Sequence, residues 1–244
     1  MISATYPSLR DRTVFITGGA TGIGAELVRA FTEQHARVHF IDIDHAAGTQ
    51  LAESVSAQFE CVDVTDIAAL QTAILGAGPV SVLINNVAND TRHDPLAVTG
   101  QSWRECLAVN LDPAFFAAQT VIPMMQAAGG GAIINFSSIN ALLGPEQMPG
   151  YVTAKAGLLG MTKALARQYG VDRIRVNAVL PGWVVTDRQL DRWLTPAAEA
   201  AWSDLVAIKD RIQPSHVASL ALFLAADDSA MITGQQFIID AGRI

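Results

Sequence analysis

A doubly wound α/β fold around one parallel sheet is what this sequence predicts, on three observations. Seven short runs rich in aliphatic and β-branched residues alternate with amphipathic or alanine-rich stretches. A glycine-rich turn, Gly18-Gly19-Ala20-Thr21-Gly22-Ile23-Gly24, joins the first run to the first stretch. No linker, repeat or low-complexity run divides the 244 residues, so residues 1–244 are expected to form a single domain.

Taken in order, the first strand is expected at residues 14–17, within Thr13-Val14-Phe15-Ile16-Thr17. A helix at 22–34 follows, with Leu27, Val28, Ala30 and Phe31 as its apolar set. Strand, glycine turn and helix together place a pyrophosphate at a helix N-terminus, where the dipole favours negative charge. The second strand, 38–42, ends in Asp42, eighteen residues beyond Gly24. A carboxylate there can accept hydrogen bonds from an adenosine ribose and repels a 2′-phosphate. Ile43 follows it rather than an arginine, and Gly19 and Ala20 carry no cation, so the expected cofactor is NAD rather than NADP.

Helices at 45–56 and 67–75 flank a third strand at 59–62, and a fourth strand at 81–85 ends on Asn85. One long helix is expected at 101–127, disturbed beside Asn110 because Pro113 has no N–H for the Val109 carbonyl. The fifth strand, 132–137, leads into Ser138, and a helix at 150–169 follows. The sixth strand, 175–180, leads into Pro181-Gly182. Helices at 187–208 and 215–225 and a last strand at 236–239 complete the alternation. In such a sheet ligands bind outside the carboxyl ends of the strands, and Thr17, Asp42, Asn85, Ser138 and Pro181 all end or follow a strand.

Tyr151 and Lys155 stand four apart in Y-V-T-A-K, which puts a phenol and an ammonium on one helix face. A phenol with a pKa of about 10 is a poor base at neutral pH, and a neighbouring cation lowers that value. Alone the pair is common on solvated helices; Ser138, thirteen residues upstream, and the glycine turn give it context.

On these residues the chain resembles the short-chain dehydrogenases/reductases. Thr17-Gly18-x-x-x-Gly22-Ile23-Gly24 is similar to that family's glycine motif, and Ser138, Tyr151 and Lys155 match its catalytic set in order and spacing. Asn110, in Val109-Asn110-Leu111, matches the asparagine that completes the set and helps hold a water between the lysine and solvent. The resemblance implies a single-domain Rossmann fold with a seven-stranded parallel sheet. It also implies a cofactor site at Gly18, Thr21, Gly22, Ile23, Gly24, Asp42, Asp63, Val64, Asn86, Tyr151, Lys155, Pro181, Gly182, Val184 and Thr186. Tyr151 is then the proton acceptor in oxidation, Lys155 lowers its pKa, and Ser138 steadies the reacting oxygen. One departure is Asn85-Asn86-Val87-Ala88 where the family has Asn-Asn-Ala-Gly; losing the glycine excludes an inexpensive positive φ and adds bulk near the cofactor.

The residues expected around the substrate are Asn89, His93, Ser138, Asn140, Gln147, Tyr151, Trp183 and Gln189, with Asp90, Arg92, Glu146, Met148 and Arg188 nearby. Amides and charges beside an indole suit a polyhydroxylated substrate. Further segments resemble the bacterial aldose 1-dehydrogenases of the family: Tyr6-Pro7-Ser8-Leu9, Asn89-Asp90-x-Arg92-His93, Thr195-Pro196 with Glu199, Lys209-x-Arg211-Ile212 and Ile239-Asp240-Ala241-Gly242. That resemblance implies oxidation of a sugar at C1, with specificity set over residues 183–213. The alternatives are a polyol dehydrogenase, a 3-oxoacyl-thioester reductase, or a non-catalytic NAD-binding sensor. A carrier-protein reductase would want a basic docking face, and a sensor would be free to lose Ser138, Tyr151 or Lys155.

A net charge of −7 without a basic patch argues against nucleic acid. Hydrophobic residues make up 50%, enough for a large core, but no apolar run reaches the roughly 20 residues of a membrane span. Cys61 and Cys106 form no C-x-x-C motif and the five histidines are scattered, so neither a disulfide nor a metal site is expected. No signal peptide is evident, which points to the cytoplasm. Small and apolar residues on the helices at 101–127 and 150–169 suit subunit contacts, and the family resemblance implies a homotetramer.

Overall fold

Strands buried on both faces need apolar side chains pointing both ways, and this chain supplies them. The structure, a computed structural model, describes residues 4–192 and 195–244. Among these, seven strands form one sheet: β1 (Thr13–Thr17), β2 (Arg37–Asp42), β3 (Gln58–Cys61), β4 (Val82–Asn85), β5 (Gly131–Phe136), β6 (Ile174–Pro181) and β7 (Gln236–Ile239). They pair in parallel in the order β3-β2-β1-β4-β5-β6-β7. Alternate residues feed two cores. Val14 and Ile16, Val82 and Ile84, and Ala132 and Ile134 face one layer. Phe15, Leu83 and Ile133 face the other.

The first layer is covered by α1 (Gly22–Glu33) and α10 (Pro214–Ala225), with Leu51 of α2 (His45–Val55) reaching in. The second is covered by α3 (Ile67–Gly76), α5 (Asp112–Ala128) and α7 (Pro149–Tyr169). Asp44 and Asp66 cap α2 and α3, each accepting an N–H of the first turn at 3.0 Å. The sequence order reverses between β1 and β4, so a crevice opens at their carboxyl ends.

Strand boundaries fall within one residue of expectation, but two helices differ. The stretch at 101–127 is broken into α4 (Gly100–Asn110) and α5 by Leu111, at φ −131° and ψ −56°. Pro113 therefore sits in the first turn of α5, where a missing N–H is harmless, instead of kinking a continuous helix. The stretch at 187–208 becomes α8 (Asp187–Arg192) and α9 (Pro196–Leu205). Thr195 is extended and accepts the Ala198 N–H at 3.2 Å, and Pro196 opens the new helix; residues 193 and 194 of the expected helix lie outside the described residues. A short helix, α6 (Asn140–Leu143), ends on Gly144 and was not anticipated from the pattern. Among the described residues no helix is long and apolar enough to cross a membrane.

Candidate active site

The crevice at the strand ends is one cleft of about 1080 Å³. One end is built by the glycine turn. Gly18 has φ +67°, a conformation side chains resist, and a Cβ on Gly24 would overlap the Gly18 carbonyl oxygen. Thr21, the residue before α1, makes no side-chain cap, so the first-turn N–H groups of α1 remain available to an anion. Asp42 closes the far side. Its Oδ2 accepts the Ala20 N–H at 3.0 Å and its Oδ1 the Asp44 N–H at 3.1 Å, which leaves lone pairs for sugar hydroxyls. This uncapped helix start beside an oriented carboxylate fits a dinucleotide.

Gly18, Thr21, Gly22, Ile23, Gly24, Asp42, Asp63, Val64, Asn86, Pro181, Gly182, Val184 and Thr186 all line the cleft. Asn86 does so with its amide turned inward: Nδ2 donates to the Thr17 and Gly18 carbonyls at 3.2 and 2.8 Å, fixing the glycine turn. Ala88 is not among the residues with positive φ, so the loss of the family's glycine brings no backbone strain. The extra bulk is real but local, since Val87 Cγ2 packs over Gly18.

Ser138, Tyr151 and Lys155 meet in the middle of the cleft, all buried. Ser138 follows β5, and its Oγ accepts the Asn140 N–H at 3.1 Å. Lys155, one turn along α7 from Tyr151, donates to the Phe136 carbonyl at 2.7 Å, with Nζ 5.8 Å from the Tyr151 ring centroid. Burial pushes the Tyr151 phenol up to about 12; a hydrogen bond from Ser138 opposes the rise. The Asp90 carboxylate adds to it, Arg188 opposes it, and Cys106 adds a smaller share. Burial brings the Lys155 ammonium down to about 7. Both groups are enclosed, and burial moves each toward its neutral form.

Asn110 lies outside the cleft, one layer behind it. Its Oδ1 accepts the Asn89 N–H at 2.8 Å and its Nδ2 donates to the Asn89 carbonyl at 3.1 Å, which pins the segment after β4. Asn110, Val109, Pro113, Asn85 and Lys155 border a void of about 10 Å³, close to the volume one water needs. Pro113 has no N–H for the Val109 carbonyl, the Ala114 N–H turns to the Leu111 carbonyl at 3.2 Å, and Asn85 Oδ1 is buried without a partner.

Of the expected substrate residues, Asn89, Ser138, Asn140, Tyr151, Trp183 and Gln189 line the cleft, as do Asp90, Arg92, Met148 and Arg188. His93, Gln147 and Glu146 are not among the residues that line it. The His93 N–H bonds the Gln147 carbonyl at 2.8 Å, and the His93 ring lies behind Gly150 near Cys106. Trp202 of α9 was missed. It lines the cleft and meets Trp183 edge-on, with ring centroids 5.8 Å apart. Only its being a tryptophan in the stretch after Trp183 could have signalled it. Trp183 Nε1 donates to Gln189 Oε1 at 2.7 Å, so the indole wall is held by an amide of α8.

Residues 18–243 match a family model described as Enoyl-(Acyl carrier protein) reductase. The chain is 46% identical over 250 residues to a protein of Rhizobium meliloti named "Probable galactose dehydrogenase", covering 98% of each chain. It is equally 46% identical, over 247 residues and 99% of each chain, to D-xylose 1-dehydrogenase of Caulobacter vibrioides. A solved short-chain type dehydrogenase/reductase from Mycobacterium ulcerans superposes with a TM-score of 0.92 at 20% identity, covering 98% of this chain and 91% of its own. That last likeness concerns the fold.

Proposed function

The chain belongs to the short-chain dehydrogenase/reductase family, and from that premise we propose that it is an NAD-dependent aldose 1-dehydrogenase, oxidising the C1 hydroxyl of a pyranose to the aldonolactone. The observation that carries this reading is the meeting of Ser138, Tyr151 and Lys155 in one cleft whose outer wall pairs indoles with amides and charges. Indole faces suit the apolar faces of a sugar, and Asn89, Asn140 and Gln189 offer partners for its hydroxyls. The names of the two relatives at 46% identity support a sugar over a steroid or an acyl thioester.

When bound, NAD would supply the hydride acceptor and a positively charged ring. The residues do the rest. The glycine turn and the α1 N-terminus hold its pyrophosphate, while Asp42 accepts hydrogen bonds from the adenosine ribose and repels a 2′-phosphate. Asp63 and Val64 border the adenine, and Pro181, Gly182, Val184 and Thr186 hold the nicotinamide end. Ser138 orients the C1 oxygen, and Tyr151 takes its proton. Lys155 holds the nicotinamide ribose and passes protons toward a water between the Val109 and Asn110 carbonyls. The free carbonyls and the orphaned Asn85 Oδ1 support that route.

Residues 183–213, bearing Trp183 and Trp202, set which sugar is taken. The subunits form a cytoplasmic homotetramer through the faces of α4, α5 and α7, where Phe115 stands exposed. Initial rates of NAD reduction on D-xylose, L-arabinose, D-galactose, L-fucose and D-glucose test the reading. At least one aldose should be turned over, and NADP should serve less well; rates confined to polyols or to 3-oxoacyl thioesters with NADPH would replace it.

A further inference from the structure

The stretch 183–213 leaves the sheet after β6 and returns before α10. Its ends are joined: Val184 bridges Ile212, and the Val185 N–H donates to the Ile212 carbonyl at 2.9 Å. Between them α9 carries Trp202 to the cleft. Lys209 Nζ donates to the Ser203 and Val206 carbonyls at 2.7 Å each, and Arg211 pairs with Glu199 in the first turn of α9. These contacts are internal to the stretch. Among the described residues, 206–209 are hydrogen-bonded to the rest of the fold at one place. The Ala207 and Ile208 N–H groups both donate to the Ala241 carbonyl, at 2.8 and 3.0 Å. Ala241 stands at φ +61° and Gly242 at +77°, so the chain turns sharply after β7. A Cβ disfavours that conformation, and Asp240 enforces it. Asp240 is buried, 5% exposed; its Oδ1 accepts the Gly242 N–H at 2.9 Å and its Oδ2 the Ile244 N–H at 3.0 Å. A Cβ on Gly242 would stand 2.8 Å from the Ala207 Cβ, so the turn and the exit of α9 lie in close approach.

We propose that Asp240 is a positioning residue for the substrate wall, acting through the Ala241 carbonyl and the end of α9 on Trp202. The idea rests on the reading of the cleft as a sugar site. Asp240 itself is not among the residues that line the cleft. It shapes the turn, the turn holds Ala207 and Ile208, and these fix the exit of the helix whose last turn begins at Trp202. Trp202 meets Trp183 edge-on, with ring centroids 5.8 Å apart, so a shift of about 1 Å at the helix exit changes the space left for a bound ring. Both carboxylate oxygens of Asp240 are in use; an amide in its place would turn an NH2 group onto one of the two N–H donors. The Asp240 Cα and Cβ pack against Gly182 of the nicotinamide end, and asparagine keeps both atoms.

The test compares wild type with Asp240→Asn, Gly242→Ala, Trp202→Ala and the Asp240→Asn/Trp202→Ala double variant. Sugar KM, kcat and NAD affinity are measured for each. Asp240→Asn keeps the shape of the side chain, and Gly242→Ala reaches the same contact from the other side, so either one suffices. Each should raise the sugar KM about fivefold or more, with kcat and NAD affinity within about twofold of wild type. In the Trp202→Ala background, Asp240→Asn should add less than about twofold, because the ring through which it acts is gone. A sugar KM that neither variant changes, a loss that multiplies again in the double variant, or an NAD affinity that falls in step with the KM marks a merely structural turn and overturns the proposal. Should wild type oxidise no sugar, the functional reading fails, and the anchor is read separately by amide hydrogen exchange. Asp240→Asn should then speed exchange over residues 196–208 by about tenfold or more while β5 and β6 keep their protection. Equal exchange in both proteins, or a gain spread over the whole sheet, overturns the anchor.

Discussion

Tyr151 is enclosed, so at neutral pH it keeps its proton unless charge arrives beside it. Burial lowers Lys155 as well, to about 7, and one of its three N–H groups goes to the Phe136 carbonyl. The four-residue spacing made the shared face legible in the sequence; the direction of the pKa shifts was not, because burial is a property of the packed site. His93 and Gln147 show the same limit, since their sequence neighbourhood said nothing of the backbone hydrogen bond that ties them to each other. Asp42 was readable because one residue at a strand end carries the discrimination. Its two oxygens each hold one backbone N–H and face the cleft. Asp42→Ala removes an acceptor for the ribose and the repulsion of a 2′-phosphate, so the NAD-to-NADP ratio of kcat/KM should fall about tenfold or more. Steady-state kinetics with both cofactors read this directly, and a wild type already favouring NADP would refute the role given to Asp42.

Elements position these residues by their ends. The turn between β1 and α1 works because its backbone closes on itself, with Gly24 against the Gly18 carbonyl and Asn86 clamping both Thr17 and Gly18. Gly24→Ala should cost about 1–3 kcal/mol by overpacking and weaken cofactor binding in step. Urea unfolding and a cofactor titration on the same variant measure both effects, and an unchanged turn would contradict the close approach. The central strands β1, β4, β5 and β6 were legible to within a residue because strands buried on both faces leave short apolar runs. The two long helices were not. The break at Leu111 leaves the amphipathic pattern intact on both sides, and the break at Thr195 is signalled only by a Thr-Pro pair inside an alanine-rich stretch. That second break gives α9 its own start and brings Trp202 to the cleft, which is why Trp202 was missed. Arg175, read as part of an apolar strand, instead donates to the Leu224, Ala225 and Ala226 carbonyls and closes the end of α10.

At the scale of the molecule, a buried site taxes the fold that holds it, and pH reveals how much. Lys155 falls from 10.5 to about 7 on folding, so between those values the unfolded chain binds more protons than the native one. Wild type should therefore gain stability relative to Lys155→Met as pH rises from about 7 toward 10.5, and lose it as pH falls back through 7. Tyr151 acts in the other sense: with its pKa raised from 10 to about 12, its contribution is complete below 10 and fades above it. Urea midpoints across this range check both signs; a wild type that loses stability relative to Lys155→Met as pH rises from 7 toward 10 would contradict the burial of Lys155. The central claim is that one cleft joins the dinucleotide end to the phenol that deprotonates a sugar at C1. It is tested most directly by following NAD reduction on D-xylose and D-galactose with wild type and Tyr151→Phe side by side, alongside a cofactor titration of each. The account expects turnover of at least one sugar by wild type, a loss of about 10²–10⁴-fold or more in the variant, and cofactor affinity within a few-fold. Near-normal turnover by Tyr151→Phe, or none of either sugar by wild type, would contradict it.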